Sequence, residues 1–148
     1  MSSLINRLVA TNASLAPLAL RVPVGIIFAA HGAQKLFGWF GGYGLAGTGG
    51  YMESIGLSPG TVMAALAGGA EFFGGLALLI GLLVRPASAV LAFTMLVAIF
   101  SAHISHGLFL TAGGYEYALT MLAVTVSLLV SGAGRLSVDA SIGGGANS

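Results

Sequence analysis

Long apolar segments alternate with short polar or glycine-rich connections along the chain. The apolar segments cover about residues 16–40, 60–84, 86–106 and 115–132. A helix needs about 20 mostly apolar residues to cross a membrane, and each segment is close to that length. The pattern therefore predicts an all-α integral membrane four-helix bundle, with residues 1–142 as a single domain and residues 143–148 as a flexible tail.

The composition agrees with a membrane protein and excludes several other classes. Of the 148 residues, 57% are hydrophobic and 6% are charged, whereas a soluble domain carries roughly 25% charged residues. The five basic residues are spread along the chain and form no patch for nucleic acid. Because the sequence contains no cysteine, disulfides, protein-held iron–sulfur clusters and thiolate chemistry are excluded. We expect the lipid bilayer around most of the surface.

The arginines predict how the helices are oriented. Arg7, Arg21, Arg85 and Arg135 lie near the amino terminus, in the connection between the second and third segments, and near the carboxyl terminus. With four spans these positions fall on one side of the membrane. The positive-inside rule then places both termini in the cytoplasm.

The first connection, residues 38–60, is longer than the others. It contains nine glycines and the interleaved aromatic residues Trp39, Phe40, Tyr43 and Tyr51. Loops of this length without regular structure are usually functional or disordered, and aromatic residues at a helix end often anchor at the membrane interface. Two interpretations remain, a functional lid and a plain interfacial re-entrant loop.

Polar side chains inside the apolar segments indicate where function resides. A charge at mid-membrane costs about 2.5–3.5 kcal/mol on insertion scales, so such residues usually face protein and have a role. Glu71 lies near the middle of the second segment, with Ala67 and Gly75 on its face, and a face of small residues lets another helix approach closely. We expect Glu71 to be buried, as the counter-charge for Lys35 or a protonated His31.

Titratable residues are expected to converge in the non-cytoplasmic half of the bundle. His31 and Lys35 share a face of the first helix, His103 and His106 lie near the end of the third, and Glu116 opens the fourth. No comparable cluster is expected in the cytoplasmic half. The structural alternative is a lysine that snorkels to the interface, histidines bonded to loop carbonyls and an ion pair that only fixes helix register.

Each apolar segment also carries a short motif. The motifs are Arg21-x-x-x-Gly25 and His31-Gly32-x-x-Lys35-Leu36-Phe37-Gly38, then Glu71-Phe72-Phe73-Gly74-Gly75-Leu76 and Gly81-Leu82-Leu83-x-Arg85, then Met95-Leu96-Val97-Ala98 followed by His103, and finally Glu116-Tyr117-Ala118-Leu119 and Gly132-x-Gly134-Arg135-x-Ser137-x-Asp139. As a set they resemble the DoxX family of small four-helix membrane proteins, over about residues 18–142. The resemblance implies a multi-pass protein of the bacterial cytoplasmic (inner) membrane. It also implies redox work, since a related subunit belongs to a thiosulfate:quinone oxidoreductase.

The first functional hypothesis is a quinone-reactive subunit of a membrane oxidoreductase. Quinone reduction consumes two electrons and two protons, so the site needs hydrogen-bond donors to the carbonyl oxygens and a proton relay. The residues expected to supply this chemistry are Glu71, His31, Lys35, His103 and Glu116. The residues expected to contact the ring are Phe28, Trp39, Phe72, Phe73 and His106. The quinone would be bound without a covalent bond, and electrons would come from a partner subunit.

Two alternatives remain. One is a non-catalytic structural or assembly subunit, which binds membrane protein partners or a second copy through small-residue helix faces. The other is a haem or metal protein, with His31 and His103 around a haem or with His103, His106 and Glu116 around a divalent metal. The sequence has no diagnostic ligand motif, so no metal ligands are predicted.

Overall fold

In the computed structural model, residues 3–12 and 14–143 are described, and all regular structure in that part is helical. The α-helices of this part are α1 (Ser3–Leu8), α2 (Ala16–Phe37), α3 (Gly44–Ser54), α4 (Gly60–Ile80), α5 (Val84–Ala98), α6 (Glu116–Ser131) and α7 (Val138–Ile142). The all-α prediction is confirmed for this part. The predicted flexible tail lies outside the described residues from position 144 onward.

By length and composition, three helical segments of the described chain can cross a membrane. They are α2, α4 and the 23-residue segment Val84–His106, in which a π-helical turn and a 3-10 turn continue α5. The fourth apolar helix, α6, has 16 residues. At 1.5 Å per residue it is about 24 Å long, which is shorter than the roughly 30 Å of a hydrocarbon core.

Glycine ends the first two spanning helices earlier than predicted. Gly38 follows α2 and Gly81 follows α4, with φ of 72° and 74°. Their backbone N–H groups bond back to the carbonyls of Gln34 and Ala77. A glycine in the left-handed region is a common helix stop, so the apolar residues just beyond it belong to connections.

Small residues bring α2 and α4 into close contact. A Cβ added at Gly25 would lie 2.7 Å from the Gly75 carbonyl oxygen, and one added at Gly32 would overlap the backbone of Phe72. The predicted small-residue faces therefore pack against each other within the chain. The helix α5 packs on α4 and α6, and α6 also contacts α2. Leu78, on α4, is fully buried in the shared core.

The first connection contains a helix that the sequence analysis did not predict. Glycine weakens an isolated helix by about 1 kcal/mol per residue, and α3 has four glycines. Packing accounts for one of them, because a Cβ on Gly49 would lie 3.0 Å from the Thr61 backbone, and a Cβ on Gly60 would in turn overlap the Gly49 carbonyl oxygen where α3 crosses the start of α4. Glu53 then accepts a hydrogen bond from the Gly60 N–H at 2.6 Å and so caps α4. The expectation of no regular structure is therefore wrong for residues 44–54, and both a functional lid and an interfacial re-entrant segment stay predictions.

Arg21 is buried, contrary to the expectation that it marks the membrane surface. The residue is 1% exposed. Its guanidinium donates to the carbonyls of Leu78 and Ala133, both at 2.8 Å, and of Leu136 at 2.6 Å. The last carbonyls of a helix have no partner within it. Arg21 thus satisfies the end of α4 and the segment after α6 with one planar group.

Asp139 is, like Arg21, a buried charged residue that bonds to a helix end. Its buried carboxylate accepts hydrogen bonds from the N–H groups of Leu83 at 2.7 Å and Val84 at 2.9 Å, where α5 begins. A negative charge is favourable at a helix N-terminus. The prediction of no comparable cluster in the half that contains Arg21 is therefore wrong. Arg21 and Asp139 both bond to backbone groups at helix ends, and the periodicity of apolar residues in the sequence does not reveal such bonds.

Candidate functional site

An ion pair joins α2 to α4. Lys35 Nζ donates to Glu71 Oε2 at 2.6 Å, and the two side chains are 24% and 6% exposed. In a helix each Cα–Cβ bond tilts toward the N-terminus, so Lys35 directs its stem back along α2 and away from the helix end. The structure thus confirms Glu71 as a buried residue and as the counter-charge of Lys35.

Gly68 makes room for this pair. A Cβ at Gly68 would lie 2.9 Å from the Leu36 side chain and 3.1 Å from Lys35 Cβ. The lysine stem therefore crosses α4 about one turn before Glu71. The absence of a side chain at one position of α4 is what allows the ammonium to reach the carboxylate.

The ion pair forms part of the wall of an apolar cavity of about 420 Å³, within the range of small-molecule sites. The cavity lies between α4 and α5, and α3 and the residues after it close one end. We call it the α4/α5 cleft. Its lining includes Met52 of α3, Leu66 and Ala70 of α4, and Val90, Phe93 and Val97 of α5. Lys35 and Glu71 are the charged residues in its lining.

The cleft is long and opens on the outer surface of the helices. Its lining on the third spanning segment runs from Val90 to Ala102, about 18 Å at helical rise. Leu66, Val90 and Phe93 line the cleft and are nevertheless 63%, 51% and 67% exposed. Apolar residues exposed in this way on spanning helices face lipid in a membrane. The cleft therefore opens toward the bilayer.

His31 and Tyr117 lie on another side of the ion pair. Their ring centroids are 5.5 Å apart, and the contact joins α2 to α6. Both rings interact electrostatically with Glu71, and His31 also with Lys35. Neither ring lines the cleft. The sequence analysis missed Tyr117, although it follows Glu116 in the motif of the fourth segment.

Three of the predicted site residues organise the connection between α5 and α6. His103 Nδ1 donates to the Gly113 carbonyl at 2.8 Å, and Glu116 Oε1 accepts from the Leu110 N–H at 2.9 Å. The exposed His106 lies against Gly113. None of them lines the cleft, so the predicted convergence divides into two groups. Within residues 3–12 and 14–143, no three His, Cys, Asp or Glu side chains are grouped to hold a metal ion.

The aromatic residues that were predicted to contact a quinone ring lie outside the cleft. Phe28 is 1% exposed in the helix core. Phe72 packs against Phe37 and Phe73 with ring centroids 5.4 and 5.2 Å apart, and Trp39 packs on Phe37 at 4.9 Å. None of them lines the cleft, nor does His106. The sequence shows that aromatic residues flank Glu71, but the rotation of α4 decides which neighbours share its cavity.

These features define a small multi-helix membrane protein with a buried ion pair beside a cavity that opens toward lipid. The DoxX family model matches residues 16–104, which is more than half of the chain. The chain therefore belongs to the DoxX family, and the matched segment includes the ion pair and all residues that line the cleft. No curated protein and no solved structure shows significant similarity to the chain.

Proposed function

We propose that the protein is a quinone-linked redox subunit of the bacterial cytoplasmic membrane and that Lys35 and Glu71 form its polar site. The observation that carries the proposal is the position of this ion pair in the wall of the apolar cleft. A quinone is a flat apolar ring with two carbonyl oxygens. Such a molecule needs apolar walls and a small number of placed donors, and the cleft offers both.

The ion pair has free capacity for a ligand. An ammonium has three N–H donors, and the described contacts of Lys35 use one of them, on Glu71. The others are available to a quinone carbonyl oxygen. The Glu71 carboxylate can take up a proton when a quinol is oxidised, and its protonated form can give that proton to a quinone that is reduced. Electrons must be exchanged with a partner redox subunit, because the chain has no cysteine pair of its own.

The proposal includes a four-span topology with both termini in the cytoplasm. It is supported by Arg85, whose guanidinium donates to the carbonyls of Ala10 at 2.8 Å and Leu129 at 2.7 Å. The amino-terminal segment, the start of α5 and the end of α6 therefore meet at one end of the molecule. Arg7, Arg85 and Arg135 support a cytoplasmic location of this end, whereas Arg21 is buried.

The experiment is quinone binding by the purified full-length protein in lipid nanodiscs. We expect Glu71→Gln to weaken binding about tenfold or more, since hydrogen bonds with charged groups contribute roughly 1.5–3 kcal/mol. The double variant Lys35→Met/Glu71→Gln removes both charges and avoids an unpaired buried charge. It should lose binding while it keeps its melting temperature near that of the wild type.

The control is Arg135→Gln, which removes an exposed charge at a distance from the cleft and should bind quinone as the wild type does. Wild-type affinity in the folded double variant would refute the proposal. So would the absence of quinone binding by the wild-type protein over the full range of bilayer quinone content.

An assembly role has less support than the quinone-linked role. One argument for it is the small-residue faces, and those at Gly25, Gly32 and Gly75 pack α2 against α4 within the chain. The quinone-linked role is therefore our proposal. Recovery of a fixed membrane partner from mild detergent, together with no binding of quinone, would favour the assembly role instead.

A further inference from the structure

The α4/α5 cleft has two different ends. Near Met63, the α3 residues Tyr51 and Met52 close it. Toward the other end no residue of α3 lines the cleft, and Val90 and Phe93 of α5 are more than half exposed, as Leu66 of α4 is nearer α3. A molecule in the cleft is therefore covered by α3 on one side and free to extend toward lipid on the other.

The ion pair lies between these ends. A Cβ at Gly74 would contact Leu91, which sets the register between the antiparallel helices α4 and α5. Three residues earlier on α4, Glu71 then lies at about the level of Thr94. From Glu71 to Met63 the cleft extends about 12 Å toward α3. The space beside the charges and under α3 suits a polar ring, and the exposed stretch past Phe93 suits an apolar chain.

We propose that the cleft takes its ligand sideways from the bilayer and that the ligand is a quinone with a long isoprenoid tail. The ring lies between the Lys35–Glu71 pair and α3, and the tail leaves between α4 and α5 past Val90 and Phe93. This inference rests on the proposed function and adds the substrate class and the route of entry. A water-soluble quinone without a tail would leave the exposed stretch past Phe93 unfilled.

The chain offers a matched pair of positions for the test. Phe93 and Phe100 are both phenylalanines of the third spanning segment and both are 67% exposed. Phe93 lines the cleft, and Phe100 does not. Phe93→Trp adds bulk at the proposed exit, whereas Phe100→Trp adds the same bulk outside it.

The experiment measures binding of two probes in phosphatidylcholine nanodiscs, each expressed per bilayer mole fraction. The probes are ubiquinone with its full isoprenoid tail and the same dimethoxy-methyl-benzoquinone ring without a tail. We expect the tailed probe to bind at least tenfold tighter. Phe93→Trp should weaken binding of the tailed probe severalfold more than binding of the tail-free ring, and Phe100→Trp should affect neither.

Orientation is tested with a tailed quinone that carries a photoreactive diazirine on the first isoprene unit of its tail. We expect cross-links on α5 near Val90 and Phe93, and cross-links on α3 would overturn the inference. If both probes bound with equal affinity and Glu71→Gln bound neither, the inferred tail and its route would be wrong but the proposed function would be retained. A phospholipid that stays bound when quinone is added would overturn the inference, and no binding of either probe would overturn both proposals.

Discussion

Arg21 and Lys35 lie on the same helix, α2, but their side chains have different surroundings. The guanidinium of Arg21 has fixed donors in one plane, and three backbone carbonyls from the end of α4 and the segment after α6 accept from them. Lys35 has one carboxylate partner and an apolar cavity beside it. A buried ion pair contributes little to stability, so its position beside a cavity is better explained by a ligand. At the residue scale, Arg21 is structural and Lys35 is the candidate for function.

Replacement of Arg21 should destabilise the protein. Arg21→Met removes the guanidinium donors from the carbonyls of Ala133 and Leu136, and an unsatisfied buried polar group costs about 1–3 kcal/mol. We expect a loss of several kcal/mol of unfolding free energy in detergent, measured by thermal or chemical denaturation. Arg135→Met removes an exposed arginine and should change the stability by less than about 0.5 kcal/mol. Equal effects of the two substitutions would contradict the structural role of Arg21.

The element that depends most on its neighbours is α3. Gly49 packs against the start of α4, and Glu53 connects the two helices through the Gly60 N–H and the Ser58 hydroxyl. These two hydrogen bonds, with the Ser58 bond the stronger influence, lower the pKa of Glu53 below its usual value. The helix that closes the cleft is therefore connected to α4 through an ionised carboxylate.

This connection should depend on pH. Because the pKa of Glu53 is lower in the folded state, its contribution is complete above the unfolded pKa, about 4.3, and is lost as the pH falls through the folded pKa. We expect the Gly60 amide to exchange faster with deuterium at pH 3 than at pH 6, after correction for the intrinsic exchange rate. Glu53→Gln should remove most of this difference. A pH dependence that Glu53→Gln leaves unchanged would show that another group controls the start of α4.

The whole molecule is organised by contacts between distant parts of the chain. The Arg85 side chain connects the amino-terminal segment to the end of α6, and Asp139 connects the carboxyl-terminal helix to the start of α5. The short helix α6 contacts both α5 and α2. One end of the molecule is therefore held by side-chain bonds to helix ends, and the other contains the ion pair and α3.

The predicted topology can be tested directly because the sequence has no cysteine. In intact cells, Ser54→Cys at the end of α3 should react with a membrane-impermeant maleimide added outside. Ser3→Cys and Ser141→Cys should react only after lysis, since both termini are predicted to be cytoplasmic. Labelling of the three positions on the same side would contradict four spans.

The sequence by itself determined the helical class, the membrane setting and the burial of Glu71. These follow from local quantities, namely the length of apolar segments and the cost of a charge in lipid. Only the tertiary structure decided that Arg21 is buried, that residues 44–54 form a helix and that the cleft lies between α4 and α5. These outcomes depend on how helices rotate and how closely glycine lets their backbones approach. Such contacts join residues far apart in the chain, so the periodicity of one segment does not contain them.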